Sequence, residues 1–175
     1  MLQAHDSAAR QASEAPAALA DATLAISPDR QVLIVVGAMK CGTSSLHSYL
    51  RLHPEISMSR LKELNFFIDK RNWPRGMGWY RRQFDKRLRV WGESSPNYSK
   101  DPVFPGVPER MASRVPHATL VYVMRDPVKR ALSHYIHNVS HGREQRPIDE
   151  ALGDVGDPRN TYIASSRYHH QIQCF

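Results

Sequence analysis

Apolar positions along this chain fall into two periods, one suited to strands and one to helices. Val32-Leu33-Ile34-Val35-Val36 is an unbroken, β-branched run that stops at Gly37, which predicts a strand buried on both faces. Leu46, Tyr49, Leu50 and His53 then recur at helical spacing and are closed by Pro54, so the hydroxyl residues before Leu46 should open a helix. Arg51 to Ser59 reads as helix end, turn and short strand. Tyr80 and Phe84, with Trp79, allow a short amphipathic helix, and Val90 to Tyr98 is a short strand running into a loop stopped by Pro96. A helix over 107–115 breaks before Pro116. Thr119 to Met124 predicts a second buried strand, and Pro127 suits the first turn of the helix that follows. That helix carries Val128, Leu132, Tyr135, Ile136 and Val139 as a core-facing stripe, with Ser133 one step off it. A short helix begins at Asp149 and is broken by Gly153, Gly156 and Pro158; residues 160–175 read as helical through Tyr162, Tyr168 and Ile172. Strands alternating with helices define an α/β domain: a mostly parallel sheet with helices on both faces, in three layers.

Composition narrows this picture. With 175 residues there is room for one compact domain, and 41% hydrophobic against 23% charged residues is the balance of a globular chain rather than a disordered one. A formal charge of +7 points to an anionic ligand or polymer without saying which. No apolar run is long enough to span a bilayer. The two cysteines, Cys41 and Cys174, exclude a disulfide framework and fit a reducing, cytoplasmic setting. No Cys/His cluster has the spacing of a metal site, so no metal is expected, and His169-His170 reads as surface. Residues 1–29 form an alanine-rich leader without the cationic start of a secretion signal; the expected domain is 30–175, with Pro28 at its boundary.

Candidate chemistry gathers at four places. Gly37 and Gly42 frame a loop between the predicted strand and helix, followed by Thr43, Ser44 and Ser45. A helix N-terminus there offers free N–H groups and a positive dipole end to a phosphate. In the nucleoside triphosphatase loop a lysine follows the second glycine; here Thr43 stands in that place and Lys40 lies inside the loop. A plain strand-to-helix turn is the alternative. Lys62-Glu63 leads into Phe66-Phe67, and a carboxylate beside buried aromatic surface has its charged form disfavoured, which makes it a better base; an exposed ion pair is the alternative. Glu93 ends a predicted strand, as a second acid or a structural partner for a cation. Arg125 leaves the next strand, where an Arg fork and the Ser133 hydroxyl suit a phosphate monoester; pairing of Arg125 with Asp126 is the alternative. Between these segments, Arg71, Trp73, Arg75, Trp79, Arg81 and Arg82 are either a face for sugar rings or nucleic acid, or a solvated basic helix with a tryptophan anchor.

Gly37-Ala38-Met39-Lys40-Cys41-Gly42-Thr43-Ser44-Ser45-Leu46 resembles the 5′-phosphosulfate loop of sulfotransferases that use 3′-phosphoadenosine 5′-phosphosulfate (PAPS), in particular the carbohydrate branch with the heparan sulfate enzymes and their bacterial relatives. Lys62-Glu63-Leu64-Asn65-Phe66-Phe67 is similar to that branch's segment with the catalytic glutamate, Gly92-Glu93-Ser94-Ser95-Pro96-Asn97-Tyr98 to its Gly-Glu-x-(Ser/Thr)-Pro-x-Tyr segment, and Arg125 to Tyr135 to its 3′-phosphate motif. The resemblance covers residues from about 31 to 175. It implies a P-loop-like fold and transfer of a sulfonate group from PAPS to a hydroxyl or amine of a carbohydrate or glycolipid acceptor. Lys40 and Glu63 would be catalytic, with Lys62 as an auxiliary cation. Lys40, Cys41, Gly42, Thr43, Ser44, Ser45, Arg125 and Ser133 would hold the nucleotide. Neither a metal nor nucleic acid enters this scheme. Family members continue with a further strand and a basic loop that nothing here matches, so the domain is expected to be incomplete at its C-terminus. The rival readings are a P-loop nucleotide kinase or triphosphatase, and a non-enzymatic basic protein that binds polyanions.

Overall fold

The computed structural model describes residues 25–175. In chain order the elements are β1 (Gln31–Gly37), α1 (Thr43–Arg51), β2 (Ile56–Met58), a 3-10 turn (Trp73–Arg75), α2 (Gly76–Arg81), β3 (Val90–Ser94), α3 (Val107–Arg114), β4 (Thr119–Tyr122), α4 (Pro127–Ser140), α5 (Ile148–Gly153), α6 (Thr161–Ala164) and α7 (Tyr168–Gln173). The Val32–Val36 run behaves as its pattern predicts: Ile34 and Val35, which point to opposite faces, are both shut off from solvent. Such a strand needs neighbours on both sides. The sheet order is β2-β3-β1-β4, and every pairing is parallel. All four strands therefore end at the same edge, which is where ligands gather in an open α/β sheet.

Right-handed crossovers place helices on both faces, because the chain leaves β1 towards β2 through α1 and returns past β1 to β4 through α3. The face under α2 and α3 holds the main core. Val32, Ile34 and Val36 meet Phe66, Phe67, Tyr80, Tyr98, Val107 and Met111 there, and no residue of α1 belongs to this cluster. Its rings interlock, with Phe66 and Tyr80 centroids 4.7 Å apart and Phe67 and Tyr98 centroids 5.6 Å apart. The Arg- and Trp-rich segment feeds this core instead of forming an open aromatic face. Tyr80 and Phe84 are buried, Trp73 and Trp79 pack against them, and Arg75 lies over the Trp79 ring.

Four expectations are corrected. The stripe on α4 does not face the core: Val128 is 74% exposed and Ile136 57%, while Arg130, Ala131 and His134 are the buried residues. The helix docks on α5 and α6 through that polar side, where Arg130 donates to the Tyr162 carbonyl and, at 2.6 Å, to Ser166 Oγ. No described element covers the apolar side. The Thr119–Met124 run is correspondingly not a buried strand, since β4 pairs with β1 alone and leaves Thr119 and Leu120 exposed. Residues 160–175 form two short helices, α6 capped by the Asn160 side chain and α7 beginning at Tyr168. At the other end, Ile26 is buried in the core and its N–H donates to the Arg114 carbonyl at 2.8 Å, so chain assigned to the leader already belongs to the domain. The rest of the expected leader, residues 1–24, lies outside the described residues.

Candidate functional site

β1 ends at Gly37 because nothing larger fits. A Cβ there would lie 2.1 Å from Ser99 Oγ and 2.7 Å from the Tyr122 ring, so glycine lets the chain after β3 and the end of β4 close over the strand. The loop then turns through Lys40 in left-handed backbone (φ 68°) and Gly42 (φ 89°). Gly42 caps α1 without any side-chain hydrogen bond, and the first turn holds no acidic residue. That leaves helix N–H groups and a positive dipole end unopposed, which is a seat for an anion. A cavity of about 340 Å³ lies there, lined by Met39, Lys40, Gly42, Thr43 and Ser44 of this loop and, from elsewhere, Glu63, Pro96 and His137. The residues expected to hold a nucleotide divide accordingly. Cys41 is buried with Sγ 3.5 Å from the Tyr168 hydroxyl, so it offers the loop its backbone. Ser45 and Ser133 lie outside the linings described here. The Arg125 guanidinium donates to the Lys40 backbone carbonyl at 3.2 Å, which ties it to this loop, but like Ser45 and Ser133 it lies outside those linings.

Glu63 reaches the cavity on a second unusual loop. Glu63 (φ 60°) and Asn65 (φ 48°) are both left-handed, a conformation that costs a residue with a side chain about 1–2 kcal/mol. A buried network holds them there. The Glu63 N–H donates to the Ser94 carbonyl at 3.0 Å, and the Asn65 N–H to Ser95 Oγ at 3.0 Å. The Phe66 N–H donates to the Tyr98 hydroxyl at 2.8 Å. Ser95 and Tyr98 in turn donate to Glu93, at 3.0 Å and 3.1 Å, and Tyr80 donates to the same carboxylate at 2.9 Å. Glu93 is thus neither a second acid of the cleft nor a partner for a cation. It is fully buried, and burial raises it to about 7 although three hydroxyl donors pull the other way. The aromatic surroundings expected around Glu63 belong to Glu93. The Glu63 carboxylate is instead exposed and paired with Lys62 Nζ at 2.6 Å, so Lys62 acts on the carboxylate directly.

A second cavity, about 510 Å³, shares Met39, Glu63, Pro96 and His137 with the first. Its far wall is basic and polar, with Arg71, Lys100, His134 and Arg143 beside Asn65 and Asn97. Lys100 is lowered to about 8, first by burial and then by Arg130 and Arg71, with Glu63 opposing. His134 is held neutral, down to about 3, by burial and by Lys100 and Arg130. Arg71, expected either in a face for sugar rings or nucleic acid or on a solvated basic helix, lines this cavity; Lys100, His134 and His137 are not among the residues the sequence singles out for the site. Lys100 carries a faint signal, two residues after Tyr98 in the chain that follows β3. The histidines carried none, because they sit on the side of α4 that the apolar stripe assigned to solvent.

A family model described as "Sulfotransferase domain" matches residues 29–173, and the chain belongs to that family. It is 33% identical over 153 residues to the bifunctional heparan sulfate N-deacetylase/N-sulfotransferase 1 of Caenorhabditis elegans, covering 80% of this chain and 18% of that protein. It is 32% identical over 115 residues to heparan sulfate glucosamine 3-O-sulfotransferase 5 of Mus musculus, covering 65% of this chain and 32% of that one. The chain therefore spans only about a fifth to a third of these relatives. Among solved structures, a sulfotransferase from Alicyclobacillus acidocaldarius has a TM-score of 0.70 and 32% identity, covering 83% of this chain and 67% of that chain.

Proposed function

We propose that this chain carries the donor site and the base of a sulfotransferase that moves a sulfonate group from PAPS to a hydroxyl or amine of a carbohydrate acceptor. The observation that carries this reading is the shared cavity, which the Lys40 loop and Glu63 line together. PAPS supplies an activated sulfonate on a phosphate leaving group. The uncapped first turn of α1, with the Thr43 and Ser44 hydroxyls, suits its 5′-phosphate. Arg125, already tied to the Lys40 carbonyl, supplies a fork for the 3′-phosphate. Ser133 joins it only if the nucleotide reaches α4. Glu63 takes the proton of the acceptor as its oxygen or nitrogen attacks sulfur. Lys40 neutralises the charge that builds on the departing phosphate oxygen. Positioning and electrostatics supply most of the acceleration, as in phosphoryl transfer. The basic second cavity, entered past Glu63, is the acceptor side. The similarity to heparan sulfate sulfotransferases supports a saccharide there.

Calorimetric titration with 3′-phosphoadenosine 5′-phosphate, set against ATP with magnesium, tests the reading. Selective binding of the bisphosphate, followed by transfer of labelled sulfonate from PAPS to oligosaccharides, is the expected result. Preference for ATP would move the site to the nucleotide kinases. Binding of polyanions without either nucleotide would make the chain a binding module.

A further inference from the structure

On the flank beside the acceptor cavity, three side chains from distant parts of the sequence converge. His170 lies in α7 and Cys174 one turn later at its C-cap, so the two share a helix face, while Asp101 arrives from the loop after β3. One carboxylate oxygen, one imidazole nitrogen and one thiol sulfur all lie within 4.8 Å of one another. His170 Nε2 is already 2.9 Å from Asp101 Oδ2. In tetrahedral zinc coordination the donors stand about 3.3–3.8 Å apart, a contraction within reach of side-chain rotation.

The backbone under this cluster is fixed. Gln171, between the two helical donors, is buried; its amide donates to the Asp101 carbonyl at 2.8 Å and accepts the Asp101 N–H at 2.9 Å. The segment that carries the carboxylate is therefore clamped to the helix that carries the imidazole and the thiol, and little ordering remains for a metal to impose. The donor chemistry selects the ion. A thiolate with an imidazole and a carboxylate suits a borderline cation, whereas calcium and magnesium take oxygen ligands. We infer that Asp101, His170 and Cys174 form a zinc site with one coordination position left to water, which staples α7 to the loop after β3. The sequence hid it because Asp101 is 69 residues from His170. The ion would stand outside the sulfonate chemistry, yet Asp101 follows Lys100 directly, so the staple would steady that wall of the acceptor cavity.

The test uses the whole chain, stripped with a chelator and titrated with Zn²⁺ against a chromophoric competitor, with Co²⁺ as a spectroscopic probe. The expected result is one equivalent bound, a sulfur-to-cobalt charge-transfer band, and a melting temperature raised by Zn²⁺. Cys174→Ser should abolish the band. Asp101→Asn and His170→Ala should each weaken zinc binding by at least about tenfold. His169→Ala, one residue away, should leave affinity and band unchanged; circular dichroism confirms that each variant is folded. Absence of a one-equivalent site, or binding that survives Cys174→Ser and His170→Ala intact, would overturn the assignment, and so would equal losses in His169→Ala and His170→Ala.

Discussion

The loops at the end of the sheet and the helix α4 beside them handle polar groups in opposite ways. In the loops, buried hydrogen bonds among Glu93, Ser95 and Tyr98 serve to aim an exposed carboxylate, Glu63, into a cavity. In α4 the polar side chains of Arg130 and His134 are themselves the buried layer, and the apolar stripe is outside. The first region is closed by its own residues. The second is satisfied only on one side. The candidate site thus draws on both: left-handed loops fixed by short-range hydrogen bonds supply Lys40 and Glu63, and the inward polar side of α4 supplies His134 and His137.

That contrast can be broken or sharpened by substitution. The largest effect is expected from Glu63→Gln: turnover should fall by about 10²–10⁴, with affinity for 3′-phosphoadenosine 5′-phosphate unchanged. Sulfonation that persists in the variant would move the base elsewhere. Phe66→Ala, measured by denaturant unfolding, should lose about 3–5 kcal/mol of stability, because the ring is buried against Phe67, Tyr80 and Trp73. Lys40→Ala should cut kcat by about 10²–10³ with folding intact, since its role lies in the transition state; near-normal turnover would remove Lys40 from the chemistry. Glu93 gives a signature in pH. Its folded value of about 7 stands above the usual 4.5, so the folded state holds the proton more tightly than the unfolded chain does. The stability of the parent minus that of Glu93→Gln should therefore fall as pH rises from about 4.5 to about 7 and then level off. A difference that stays flat over this window would mean that the carboxylate is ionised at little cost. The smallest effect belongs to the flank. Ile136→Ser should change stability by no more than about 0.5 kcal/mol, as at other exposed positions; a loss several times larger would mean that the apolar side of α4 is covered in solution.

Much of this architecture was legible in the sequence, for reasons that differ by element. The β1 strand, the loop from Gly37 to Gly42 and α1 could be read because a run of β-branched residues, two glycines and a helical period act over short range. Arg125 and Lys40 could be paired in advance only through the resemblance, since nothing in their spacing says that one guanidinium will reach the other's carbonyl. The stripe on α4 was read correctly as apolar and wrongly as buried, because periodicity reports the character of a face and not whether a neighbour covers it. Glu63 and Glu93 exchanged environments for a similar reason. Glu63 stands before Leu64 and Phe66, Glu93 just after Val90 and Trp91, and only the fold decides that Tyr80 and Tyr98 close over Glu93 while Lys62 meets Glu63 in the open.

Lys40, Glu63 and Asn65 are the non-glycine residues with positive φ among the described residues, and all three line the candidate cavities. Glycine at any of them would relax the backbone. Random variants sorted for survival of heat should therefore accumulate glycine at these positions, and the hardiest of them would be poor catalysts. On the roles proposed for Lys40 and Glu63, endurance and turnover would be set against each other there, so an effort to toughen this domain for use should hold those positions fixed and look for its gains elsewhere.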